Sequence, residues 1–373
     1  MSKNPISVVA ELGQSVWLDS LSRDLIRSGR LERMIREEGL RGVTSNPKIL
    51  AESISEGHGY DEEVRRLSGE GKTATEIYER LAIGDIQDTA DLLRPVYDAS
   101  GGQDGFVSLE VSPHLAHDAG GTIAEACRLW SAVDRPNLMI KVPATSEGLP
   151  AIRRLIGEGV NVNVTLLFGL KRYQQAVDAY LRGLEDRRDS AESLDRIASV
   201  ASFFLSRIDV LIDAELDRII ETGGASARMA EGLRGNIAIA SAKLAYQIYK
   251  HVFEDKRFRK LAQHGAHTQR LLWGSTSTKD PRYSDVKYVE ELIGPKTVNT
   301  VPLQTLEAYQ NHGNPEPRLE RGVDEARRRL EQLPALGIDL ERVTRRLEKE
   351  GVEKFAAPYD QLLSTLERLR KAA

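Results

Sequence analysis

The sequence predicts an α/β protein of the (β/α)8 TIM barrel class, with extra helices and a C-terminal helical tail. Three observations carry this prediction. Eight short β-like runs alternate with longer helix-like segments, no Gly-x-Gly-x-x-Gly fingerprint follows the first run, and polar residues inside several runs fall on one parity. Strands separated by helices pair in parallel, and eight of them suit a closed barrel better than an open doubly wound sheet.

In chain order the β-like runs are "SVWLD" from Ser15, "GVTSN" from Gly42, "GFVSLEV" from Gly105 and "NLMIKVPA" from Asn137. They continue with "VNVNVTLLF" from Val160, "SVASFFLS" from Ser199, "RLLWGSTST" from Arg270 and "TVNTVP" from Thr297. Between them "SLSRDLIRSGRLERMIREEG", "GTIAEACRLWSAV", "GLPAIRRLIGEG" and "LKRYQQAVDAYLRGLEDRR" place apolar residues at helical spacing, punctuated by Gly and Pro. The widest intervals, from Asn46 to Glu110 and from Ser202 to Ser275, are expected to hold additional helices. No linker rich in Pro, Gly or Ser divides the chain, so it is expected to form a single barrel domain over 1–373, with barrel strands within about 15–303. A charged helical extension over about 318–373 follows, read most simply as a solvated helix face, with a helix lying over the barrel mouth as the alternative.

Composition narrows the function classes. The chain has 373 residues, 40% of them hydrophobic and 29% charged, and a formal net charge of −4. No broad basic field is available for nucleic acid or an anionic membrane, and no apolar run approaches the roughly 20 residues a bilayer requires. The start of the chain lacks a signal-peptide pattern, so a cytoplasmic protein is expected. Cys127, the one cysteine, cannot form an internal disulfide, and its helical neighbours make it an expected core residue.

Alternation along a strand sorts side chains between the barrel interior and the helices. In "VNVNVTLLF" the valines share one face, which leaves Asn161, Asn163 and Thr165 for the interior. In "LMIKV" the apolar Leu138, Ile140 and Val142 face outward, and Met139 and Lys141 face in. The same parity groups Trp17 with Asp19, Thr44 with Asn46, Ser108 with Glu110, and Ser202 with Phe204. Each polar group stands near the C-terminal end of its run, where barrel enzymes carry their active sites. Any one of these residues has an ordinary role in a turn or cap, but six strands bringing Asp, Asn, Glu, Lys, Thr and Ser to one mouth form a candidate site.

An interior lysine pays desolvation when charged, whereas nearby carboxylates favour its ammonium form; the sequence leaves the balance open. A neutral Lys141, with Asp19 and Glu110 to move protons, can condense with a ketone to form a Schiff base whose iminium draws in electrons as a C–C bond breaks. Metal-assisted enolisation is the rival route. Its best candidates, His114 with His117 and His264 with His267, lack a ligand signature and read more simply as solvated or connecting residues. Arg207, Ser275 and Lys279, with the other hydroxyls of "GSTSTKD", offer a phosphate-binding edge.

"GVTSNPKIL" resembles the first transaldolase signature and "LMIKVPATSEGLPAI" resembles the second, which carries the Schiff-base lysine; "VNVTLLF" and the Ser-x-Phe-x-x-Arg spacing of "SFFLSR" extend the likeness. The resemblance implies transfer of a dihydroxyacetone unit from sedoheptulose 7-phosphate to glyceraldehyde 3-phosphate in the pentose phosphate pathway, with no cofactor or metal. It implies Lys141 as nucleophile, Asp19 as the group that takes and returns the hydroxyl proton, Glu110 acting through a water, and Thr165 holding that water. Thr44, Asn46, Asn163, Ser202 and Phe204 would surround the three-carbon unit, with Arg207, Ser275 and Lys279 towards the phosphate. Many members carry "GASFRN" where this chain has "GSTSTKD", so Lys279 substitutes for a second phosphate arginine. Sugar phosphates are the expected partners, with no nucleic acid or membrane, in a monomer or homodimer. Two other readings are a lysine-dependent aldolase that releases free dihydroxyacetone and a non-catalytic sugar-phosphate binding barrel. Glu110 and Phe204 favour transfer over release, because the related fructose 6-phosphate aldolases tend to carry glutamine and tyrosine there.

Overall fold

Eight parallel strands close into a barrel in chain order, in a computed structural model that describes residues 4–56 and 59–372. They are β1 (Gln14–Leu18), β2 (Gly42–Thr44), β3 (Phe106–Glu110), β4 (Leu138–Pro143), β5 (Val162–Leu167), β6 (Ser199–Phe204), β7 (Arg270–Gly274) and β8 (Thr297–Val301). Each predicted run contains one strand. Val16, Val43, Leu109, Ile140, Val164, Phe203 and Leu271 point outward into the large core shared with the helices, each such side chain contributing about 1.5–3 kcal/mol on burial. The opposite parity fills the interior. Trp17, Phe106, Met139, Val200, Leu272 and Val298 form a separate apolar cluster that plugs the lower barrel.

Glycine is required where Trp17 crosses the barrel. Gly42 is its register partner on β2, and a Cβ at Gly42 would lie 2.6 Å from the indole ring. Above this plug, register sets the site: Glu110 on β3 pairs with Lys141 on β4, which pairs with Asn163 on β5. The β5–β6 ladder slips between Val164 and Leu167, and Leu166 adopts a left-handed φ of 59°. This local break follows Thr165 directly.

The two long intervals hold helices, as expected: Pro47–Glu56, Asp61–Gly69 and Ala74–Ala99 in the first, and Ser206–Thr222, Gly224–Leu233, Ile237–Glu254 and Lys256–Ala262 in the second. The helix Ala74–Ala99 begins with a Thr73/Glu76 capping box, each side chain satisfying the other residue's backbone N–H. The predicted helix after β1 is divided into Arg23–Arg27 and Arg30–Glu37 by Gly29, which takes φ 71°. Cys127 is not a fully buried core residue and packs only against the edge of the core. It is half-buried on the helix Ala119–Val133, its Sγ 3.2 Å from Glu158, because that helix turns Thr122, Ala126 and Leu129 inward instead.

The charged tail resolves in favour of a helix over the barrel mouth. Leu340–Ala372 is one helix, and it packs against Pro47–Glu56, Asp61–Gly69, Ala74–Ala99, Ser206–Thr222 and β5. Among the described residues, no helix is long and apolar enough to cross a membrane.

Candidate active site

A cavity of about 850 Å³ opens at the C-terminal ends of the strands. Asp19, Thr44, Asn46, Lys141 and Thr165 line its inner part, and Ser202, Phe204, Arg207, Ser275 and Lys279 line the rest. Glu110 and Asn163 are not on its wall. They lie beneath it, where Glu110 pairs with Lys141 and Asn163 joins Ser202 to Ser108.

Lys141 is 4% exposed because β4 delivers its side chain into the barrel above Met139. Its Nζ lies 3.2 Å from Glu110 Oε2 and donates to the Ser45 carbonyl at 3.0 Å. The turn that follows keeps the end of β4 in place: Thr145 accepts from Gly148 N–H at 2.9 Å and donates to the Ala116 carbonyl. Gly148 has no room for a Cβ, which would fall 2.0 Å from the Pro143 carbonyl oxygen. The Pro, Thr and Gly after Lys141 therefore serve the tight strand-to-helix turn.

Burial pushes the Glu110 carboxyl above its ordinary value, Lys141 opposes that shift, and Asp19 adds to it. Asp19, half-buried at the end of β1, is also pushed up by desolvation, against the pull of Lys141, Thr44, Lys279 and Arg207. Thr44 Oγ1 donates to Asp19 Oδ1 at 2.8 Å and shares a 2.7 Å bond with Thr300. That chain fixes the face of Asp19 that remains for a ligand. Thr165 Oγ1 is buried without a hydrogen-bond partner in the protein, a state that costs energy unless a ligand or water satisfies it, whereas Glu110 Oε2 is held by its ion pair with Lys141.

Asn163 is bound on both sides of its amide: Ser202 Oγ donates to Oδ1 at 2.6 Å, and Nδ2 donates to Ser108 at 3.0 Å. Asn46 Oδ1 accepts from Ile49 N–H at 3.0 Å and so starts the helix Pro47–Glu56 while facing the cavity. Ser275 takes a left-handed φ of 54°, and its hydroxyl meets that of Ser206 at 2.9 Å.

The outer wall is cationic. Arg207 stands over the Phe204 ring at 5.8 Å, with one buried nitrogen that has no protein acceptor. Lys279 is exposed at the rim, yet partial desolvation on the cleft side, then the charges of Arg207 and Lys48, hold its ammonium below the ordinary range. An anion placed among these cations would relieve their repulsion. The histidine pairs lie elsewhere: His114 meets Asp360 at 2.7 Å, His117 meets Glu147 at 3.3 Å, and His267 bonds the Asp195 carbonyl.

Sequence reasoning missed Thr300, Lys48 and Phe355, all on the cavity wall. Parity with Val298 would have found Thr300. Lys48 follows the strand end on a helix, where alternation does not apply, and Phe355 arrives from the C-terminal helix with no local signal at all.

The chain matches the family model described as transaldolase/fructose-6-phosphate aldolase over residues 16–366. Among curated proteins it is 49% identical over 358 residues to a transaldolase of Thiobacillus denitrificans, covering 96% of this chain and 98% of that one. It is 48% identical over 362 residues to a transaldolase of Saccharopolyspora erythraea, covering 97% and 96%, and 46% identical over 372 residues to transaldolase 2 of a Nostoc species, covering 98% of each.

Proposed function

The chain belongs to the transaldolase/fructose-6-phosphate aldolase family, and we propose that Lys141, Asp19, Glu110 and Thr165 carry its chemistry. The protein is a transferase of the transaldolase type: it moves a dihydroxyacetone unit from sedoheptulose 7-phosphate to glyceraldehyde 3-phosphate through a lysine Schiff base, giving erythrose 4-phosphate and fructose 6-phosphate. The observation that supports the residue assignment most strongly is the buried Lys141 amine, 3.2 Å from a carboxyl whose proton affinity is raised, at the inner end of a cavity with a cationic outer wall.

In this reading Glu110 accepts a proton from Lys141, and the neutral amine attacks the ketose carbonyl. Loss of water from the carbinolamine leaves an iminium, with Glu110 and Thr165 holding the water and moving its protons. Asp19, aimed by Thr44, takes the hydroxyl proton at the bond to be cleaved. The bonding electrons pass into the iminium, the aldehyde departs, and an enamine remains on Lys141. Attack of that enamine on the second aldehyde reverses the steps. Asn46, Asn163, Ser202 and Phe204 surround the three-carbon unit, while Arg207, Ser275 and Lys279 take the phosphate.

We read the protein as a single barrel domain with a helical extension, a monomer or homodimer, acting in the cytoplasm in the non-oxidative pentose phosphate pathway. The assay that tests the assignment is transfer from fructose 6-phosphate to erythrose 4-phosphate. Lys141→Ala should lose at least about 10⁴-fold in kcat with its circular dichroism unchanged, because the covalent route is gone. A folded variant within tenfold of wild type would remove Lys141 from the mechanism.

A further inference from the structure

The C-terminal helix Leu340–Ala372 contributes one side chain to the cavity among the described residues, Phe355. It is 6% exposed, and its ring centroid stands 5.9 Å from Lys141 Nζ. The helix is held in place on both sides of this residue. On the N-terminal side, Arg172 grips Glu348 through bonds of 2.9 and 3.2 Å, and Gly351 lies so close to β5 that a Cβ there would meet Leu166 at 2.9 Å. On the other side, Tyr359 packs edge-on against Tyr78 at 5.2 Å, and Leu362 and Leu366 are buried. Phe355 continues the buried stripe of Leu347, Tyr359 and Leu362, and where that stripe passes the cavity its ring forms part of the wall beside Lys141. Phe204 also lines the cavity, with Phe168 packed behind it at 5.4 Å between centroids.

From this placement we propose that Phe355 is a specificity-determining residue: it caps the Lys141 adduct and keeps solvent from the enamine, so that the three-carbon unit is passed to an aldehyde and not released. The proposal rests on the assignment of Lys141 as the Schiff-base lysine. Release requires a proton on the enamine carbon, which restores the iminium, and then a water oxygen on the iminium carbon. The C–N bond to Nζ breaks, that nitrogen regains its proton, and free dihydroxyacetone departs; water is the only co-reactant, and no oxidant or reductant takes part. Transfer replaces the first of these steps with attack on the aldehyde. Water on the iminium carbon ends both routes, so the discriminating step is the proton on the enamine carbon, and an apolar ring over the adduct disfavours its source without hindering a sugar that enters along the polar wall. The electron-rich face of the ring also suits the iminium charge.

The test is the ratio of free dihydroxyacetone to sedoheptulose 7-phosphate formed from fructose 6-phosphate and erythrose 4-phosphate, for wild type, Phe355→Leu and Phe355→Ala. The ratio should rise in that order, by about tenfold or more for alanine, as the enclosure is opened. Borohydride trapping on Lys141 should persist in both variants. Should the alanine variant fail to fold, the leucine variant decides the matter alone. An unchanged ratio, with trapping intact, overturns the role of Phe355 and leaves the lysine assignment standing. Absence of any adduct on Lys141 in the wild type overturns the lysine assignment and the proposal with it.

Discussion

In the proposed mechanism, Asp19 is a side chain that trades stability for chemistry. Desolvation dominates its environment and raises its carboxyl pKa above 3.8, despite Lys141, Thr44, Lys279 and Arg207 pulling the other way. The folded state therefore keeps the proton to a higher pH than the unfolded chain does. Its contribution to stability is present below the unfolded value and is lost as pH rises through the raised folded value. At neutral pH Asp19→Asn, which preserves an acceptor for Thr44, should melt at or above the wild-type temperature, and the gain should fade as pH falls into the carboxylate range. Its kcat should drop by about 10²–10⁴-fold, the usual worth of a positioned proton acceptor, with cleavage impaired more than adduct formation. Melting curves at neutral and acid pH, set beside trapping and turnover, check both halves; a variant that melts below wild type at neutral pH contradicts the desolvation account.

At the scale of elements, the strands were legible because a barrel imposes alternation that a short run already displays. Parity alone put Met139 and Lys141, or Asn163 and Thr165, on the inner face, and the register of β3, β4 and β5 then aligned Glu110, Lys141 and Asn163. Helices were legible as periodic stretches, but not where they dock. The buried cluster joining Arg23 to Asp85, Glu63 and Tyr60 is an example: Arg23 Nε donates to Asp85 at 2.9 Å, a second nitrogen donates to Glu63 at 2.8 Å, and the Tyr60 hydroxyl donates to Asp85 at 2.6 Å. These residues lie on three separate elements after β1 and β2, and nothing in their local spacing announces the contact. Because Asp85→Ala leaves a buried guanidinium and phenol short of an acceptor, it should cost about 3 kcal/mol, read as a lower urea midpoint with an unchanged slope. A loss below about 1 kcal/mol would mean that Glu63 and the Gly59 carbonyl suffice to hold Arg23.

For the whole molecule, the barrel supplies the geometry of the candidate site, and the C-terminal helix packs beside it and adds Phe355 to its wall. Much of the candidate site could be found from strand ends, since those residues share a parity and a mouth. Phe355 could not, because its place depends on a helix that returns across the barrel from a distant part of the chain. On the cationic wall Lys279 lies in the loop after β7, whereas Arg207 and Lys48 each stand at the second position of a helix that follows a strand. In the proposed function, what unites these parts is a covalent bond to one amine, that of Lys141. The measurement that tests this most directly is borohydride reduction of the enzyme with fructose 6-phosphate in the presence of EDTA, followed by intact mass and peptide mapping. A reduced three-carbon adduct on Lys141, depleted when erythrose 4-phosphate precedes the reductant, is the predicted result. An adduct on Lys48 or Lys279, or full transfer activity with no adduct at all, would contradict it.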